Sequence, residues 1–194
     1  MTKITESQSP PTWLVDWMRD AGAHAQCHSL VLCASSGPNL HRVACAVSDY
    51  LNEFDGLGSC QWRAFDTDEL RHLAGDPTCR RLLLAGAPPV REGALHDSDL
   101  DRTARRLARL GGVILEGQCG FEATIELPEA FHVCLSAADH PRRDNHHLWL
   151  NPERFQTDTL VSIIADSFLN WSSMTRSPGS RPASAVAGTP GPSL

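Results

Sequence analysis

Residues 30–51 join an apolar run, a tight turn and an amphipathic segment, a layout that binds anions. Leu30-Val31-Leu32-Cys33 reads as a strand, Ala34 to Asn39 as a short loop, and a helix follows from Leu40. In that arrangement Ser35, Ser36, Gly37 and Asn39 would line a phosphate, with backbone N–H groups and a helix N-terminus supplying the positive field. Phosphoryl transfer asks for more: a lysine closing the loop, then Ser or Thr to hold magnesium. Here the residues after the turn are Leu40, His41, Arg42 and Val43. Pro38 also removes one N–H from the cradle. The residues therefore predict a phosphate-binding turn without the compact ammonium that chemistry on the phosphate needs.

Other reactive types are scattered. Cys119, between Gln118 and Gly120, follows the apolar run 113–116, where open α/β folds place their chemistry. It reads either as a nucleophile with His132 or His146 as base, or as a turn cysteine. Glu116 reads as an acid near a metal or as a strand-end carboxylate bonded to backbone. Asp66 and Asp68 suit a helix cap. The seven cysteines form no CxxC pair and the nine histidines show no zinc-ligand spacing, so no metal site is expected. His146 and His147 are adjacent, and in a strand they face opposite ways. All seven thiols are expected to be reduced and mostly structural.

Positioning these residues requires alternating strands and helices. Trp13, Leu14, Trp17 and Met18 recur at helical spacing. Leu40, Val43, Ala44, Val47 and Leu51 line one face of a helix capped by Asn39. Gln61–Phe65 reads as a strand and Thr67–Ala74 as a helix, while Arg80–Ala85 fits either. Leu100, Thr103, Ala104, Leu107 and Leu110 define another helix, with Arg102, Arg105, Arg106 and Arg109 on its wetter faces. Val113–Glu116, Phe131–Ser136 and His147–Leu150 give three more strands, and Thr157–Trp171 a last helix. The pattern predicts a three-layer α/β sandwich around a five-stranded parallel sheet. One domain spans 12–171, between a polar lead-in at 1–11 and a Ser/Pro/Gly/Ala tail at 172–194, both expected to be disordered.

Bulk properties narrow the function classes. The chain has 194 residues, 41% hydrophobic and 21% charged, with a formal net charge of −6. That acidity argues against nucleic acid and anionic membranes as partners. Apolar runs fall short of the roughly 20 residues a membrane helix needs, and the N-terminus has no signal-type apolar region. A cytoplasmic location is the expectation.

Three segments resemble the cytidylate kinases. Gly111-Gly112-Val113-Ile114-Leu115-Glu116-Gly117 is similar to their third-strand motif, a hydrophobic strand ending in Glu-Gly-Arg or Gly-Arg. Leu127-Pro128-Glu129-Ala130 through Ala138 resembles the next strand, and the basic stretch His140-Pro141-Arg142-Arg143 follows it as in the family. His147 to Phe155 resembles the last strand and turn. The likeness covers about residues 29–171 in outline, and the loop at 34–39 falls where the family has its glycine-rich turn. It implies a P-loop kinase fold and transfer of the ATP γ-phosphoryl group to a nucleoside monophosphate with Mg2+. Gln118 stands in place of a phosphate-pairing arginine, and the lid expected between Arg143 and His147 is missing. Lysine, metal ligand and lid each supply an electrostatic term of several kcal/mol. The resemblance then implies a degenerate, catalytically impaired member that binds a nucleotide, another phosphate-bearing ligand or a protein partner, with a homodimer possible. The alternative is an active ATP-dependent kinase whose cation comes from Arg42, Arg142 or Arg143, with His41, Glu116 and Gln118 around the nucleotide.

Overall fold

A computed structural model describes residues 9–23, 28–34, 40–54, 61–85, 99–137 and 146–175. Their elements run α1 (Thr12–Ala23), β1 (Ser29–Ala34), α2 (Leu40–Glu53), β2 (Arg63–Phe65), α3 (Thr67–Gly75) and α4 (Pro77–Leu84). There follow α5 (Asp99–Leu110), β3 (Val113–Glu116), α6 (Gly117–Thr124), β4 (Ala130–Leu135), β5 (Leu148–Leu150) and α7 (Thr157–Thr175). The phosphate-loop candidates Ser35, Ser36, Gly37 and Asn39 lie outside the described residues, as do Arg142, Arg143, Cys27, Cys60 and His140. Residues 1–8 of the lead-in and 176–194 of the tail lie outside them too.

All five strands are parallel, in the order β2-β3-β1-β4-β5. Period-two alternation divides each central strand between two apolar layers, so apolar residues run consecutively along them, with Ser29, Glu116 and His132 the buried polar exceptions. Val31, Cys33, Val113, Leu115, Ala130 and Cys134 face one core, shared with Leu14, Leu70, Leu83, Leu107 and Phe121 of the helices. Leu30, Leu32, Ile114, Phe131, Val133 and Leu135 face the other, against Val43, Val47, Leu160, Ile164 and Phe168. The result is the expected three-layer α/β sandwich, with α2 and α7 on one face and α1, α3, α4, α5 and α6 on the other.

The helices follow from local chemistry. Asp66 caps α3 through a capping box with Glu69, and Asp76 caps α4 ahead of Pro77, so the ambiguous stretch from Arg80 is helix as far as Leu84. The expected aqueous arginine face of α5 is tied down instead. Arg105 Nε donates to the Ala123 carbonyl at 2.8 Å and Arg106 Nε to that of Leu83 at 3.0 Å. The second strand is shorter than Gln61–Phe65 because Trp62 is engaged by α2: its N–H donates to Asn52 Oδ1, and its carbonyl accepts from Ser48 and Asn52.

Two larger departures from the sequence reading concern helices. The turn after β3 is a helix, α6, entered through Gly117 at φ +85°, a conformation glycine adopts without strain. The last helix continues past Trp171 to Thr175, because Ser172 is buried at 2% exposure and Thr175 Oγ1 lies 3.0 Å from His28 Nε2. Residues 172–175, expected in the tail, are therefore helical.

Candidate functional site

Sheet topology selects one edge. From β1 the chain passes through α2 to β2 on one side, whereas from β3 it passes through α6 to β4 on the other. The C-terminal ends of β3, β1 and β4 therefore lie where connections diverge, the place in open α/β sheets where ligands bind.

Glu116 ends β3 there and is 3% exposed. Its Oε1 lies 2.9 Å from His41 Nδ1, in the first turn of α2. The other imidazole nitrogen, Nε2, is 3.4 Å from Cys45 Sγ, one helical turn on. The Glu116 backbone carbonyl accepts from Thr67 Oγ1, at the head of α3, over 3.4 Å. Cys119 in turn donates to Thr67 Oγ1 at 3.7 Å. The heads of α2, α3 and α6 thus converge on one strand end, where their dipoles favour negative charge.

Protonation of the pair follows from burial. Desolvation pushes the Glu116 carboxyl above its ordinary value, with the His41 hydrogen bond working against it. That hydrogen bond to Glu116 raises the His41 imidazole, and desolvation opposes the rise. Each therefore holds its proton to higher pH than the same side chain free in water, Glu116 through burial and His41 through the pairing. In the imidazolium–carboxylate form the Nδ1–H donates and the pair is a charge-assisted bond.

The sequence-selected residues fare differently. His41 and Glu116 come together although 75 positions separate them. Arg42 is exposed in the same turn of α2. Gln118 is exposed at the start of α6 and donates from Nε2 to Glu122 Oε1 at 2.9 Å. Cys119 meets a threonine hydroxyl rather than the histidine expected of a nucleophile. His132 is occupied by Thr124, whose Oγ1 lies 3.0 Å from its Nε2. Asp66 caps as expected. Thr67 and Cys45 belong to no sequence motif, although the four-residue spacing of His41 and Cys45 puts them on one helix face.

Elsewhere, a cleft of about 290 Å³ is lined by Trp13, Asp68, Glu69, His72 and Leu73. Its two carboxylates repel phosphate. Among the described residues no helix is long and apolar enough to cross a membrane. No family model, curated protein or solved structure matches the chain.

Proposed function

We propose that this protein binds a phosphate-bearing nucleotide at the C-terminal edge of its sheet, between β1 and the head of α2, with phosphoryl transfer lost or strongly impaired. It is in this reading a degenerate relative of the cytidylate kinases. The observation that carries it is the His41–Glu116 pair. A central parallel strand leading to a helix head supports anion binding, while the residue in the lysine's neighbourhood is engaged by a buried carboxylate at 2.9 Å. A histidine so engaged cannot follow a transferring phosphoryl group as a lysine does.

Magnesium–ATP chemistry fits these residues poorly. The strand-end carboxylate is lifted toward its neutral form and already bonded, and Arg42 and Val43 bring no hydroxyl after His41. No transfer step is therefore assigned. What the chain's own residues do is bind and orient: Arg42 adds exposed positive charge at the α2 head, and Thr67 anchors the Glu116 backbone.

The test is turnover with ATP, Mg2+ and a panel of nucleoside monophosphates, beside thermal shifts with ATP, ADP, CMP and sulfate. The proposal expects ADP release at background and stabilisation of about 2.7 kcal/mol at ligand concentrations 100-fold above Kd. Sustained ADP production that disappears in Arg42→Ala would establish the active-kinase alternative. Unmoved melting temperatures with every nucleotide would overturn both.

A further inference from the structure

At the switch point between β1 and β4, three soft ligands converge. Cys33 and Cys134 are register partners on adjacent parallel strands, each one residue before its strand ends. Both side chains face the core under α6. The imidazole of His146, two residues before β5, reaches the same place: its Nε2 is 3.5 Å from Cys33 Sγ. The two sulfurs and one His nitrogen all lie within 4.8 Å of one another.

We propose that Cys33 Sγ, Cys134 Sγ and His146 form a binding site for a thiophilic divalent ion, Zn2+ foremost. Zinc bonds of about 2.3 Å to sulfur and about 2.05 Å to nitrogen, set at tetrahedral angles, place S and N about 3.6 Å apart. The observed 3.5 Å edge already has that length. Phe121 stacks on His146 with ring centroids 4.6 Å apart and planes at 16°, which holds the imidazole in a fixed plane. Such outer contacts orient metal-bound histidines.

Charge balance favours a dication. Cys33 Sγ donates its S–H to the Val133 carbonyl at 3.6 Å, and thiols buried in apolar surroundings keep their protons. On binding, two Zn–S bonds form as two S–H bonds break, and the two protons leave to solvent. The buried cluster then carries Zn2+ with two thiolates and a neutral imidazole, a net charge of zero. Thiolate donors select Zn2+ over Mg2+ or Ca2+. Three protein ligands leave one tetrahedral position for water or an incoming ligand. This site is distinct from the His41–Glu116 pair and independent of the nucleotide reading.

The experiment uses the full chain, purified reduced, equilibrated with Zn2+ and desalted, with metal content measured and Co2+ substituted in parallel. The expected results are about one retained equivalent of Zn2+ and a thiolate-to-cobalt charge-transfer band. That band should weaken by about half in Cys33→Ser and in Cys134→Ser. Affinity should fall by more than about 100-fold in His146→Ala, beyond the range typical of losing an outer-shell partner. Cys119→Ser should bind like wild type and controls for general thiol loss. Folded wild type that retains no Zn2+, or a Cys33→Ser/Cys134→Ser chain with the wild-type cobalt spectrum, would overturn the proposal. The wild-type band counts thiolates directly, so the test stands even if a variant fails to fold.

Discussion

Replacing His41 with alanine removes the only hydrogen-bond partner of the Glu116 carboxylate among the described residues, and the size of the loss can be worked from the surroundings. Breaking a fully buried ion pair destabilises by about 3–5 kcal/mol, because the remaining charge is stranded. The pair here is asymmetric: the Glu116 side chain is 4% exposed and the His41 side chain 49%. Water screens the imidazole side, so the penalty is discounted to about 1–1.5 kcal/mol near neutral pH, above a surface pair and well below a buried one. The sign of its pH dependence follows from linkage. Both folded values are raised, from 6.5 for His41 and 4.5 for Glu116. The contribution of each group is therefore fully present below its unfolded value and lost as pH rises through its folded value. In wild type, stability from His41 is full below pH 6.5, declines as pH rises from there through the raised imidazole value, and is lost above it. In His41→Ala, the carboxyl has no cation to oppose its desolvation and takes up a proton at higher pH. The difference between the two proteins is then largest around neutrality and shrinks below about pH 4.5, where Glu116 is neutral in both. Urea unfolding of wild type, His41→Ala, Glu116→Gln and the double variant from about pH 4 to about pH 9 measures this as a coupling energy. Coupling of about 1 kcal/mol near pH 6.5 that falls on acidification is expected. A cycle that closes to zero at every pH would refute the pairing and with it the account of why His41 cannot serve a phosphate.

Three further outcomes follow from particular contacts. Gly117→Ala should destabilise by about 1–2 kcal/mol from the left-handed backbone alone, and more because the new Cβ would stand 2.7 Å from Thr67 Oγ1; a denaturation midpoint with unchanged slope reads it. Phe168→Ala should cost about 3–5 kcal/mol, since the ring is fully buried and packs edge-on against Trp62 and Phe131; thermal unfolding measures the loss. Asp66→Ala should remove about 1 kcal/mol by freeing the N–H groups of Asp68 and Glu69 that now donate to its carboxylate at 2.9 and 2.7 Å, with restoration by Asp66→Asn.

Much of the sheet could be read from residues because a strand buried on both faces has a distinctive, unbroken apolar run. Leu30–Cys33 and Val113–Leu115 are such runs, and both are central strands. The helix after Glu116 was not legible: Gly117 and Gly120 read as a turn, and only the packed structure shows Gly120 pressed on β3, where an added Cβ would lie 3.1 Å from Leu115 Cβ. The end of α7 was misplaced because serines and a threonine look like tail until Ser172 is seen buried. His41 and Glu116 were each marked by position, one at a helix head and one at a strand end, but their contact depends on β1 and β3 being neighbours. The Cys33–Cys134–His146 cluster was invisible for a related reason. Metal motifs in sequence depend on local spacing, whereas this cluster depends on the β1–β4 register and on a histidine brought in from outside the strands. Thiols inside apolar runs read as core until register sets two of them side by side.

The central claim is that phosphate is held at the head of α2. Amide resonances of the full chain, followed during titration with ADP, test it most directly. The account predicts saturable shifts concentrated at Leu40–Ala44 and Glu116–Gln118, with no ATP turnover under the same conditions. Shifts gathered elsewhere on the fold, or none at saturating ADP, would contradict it.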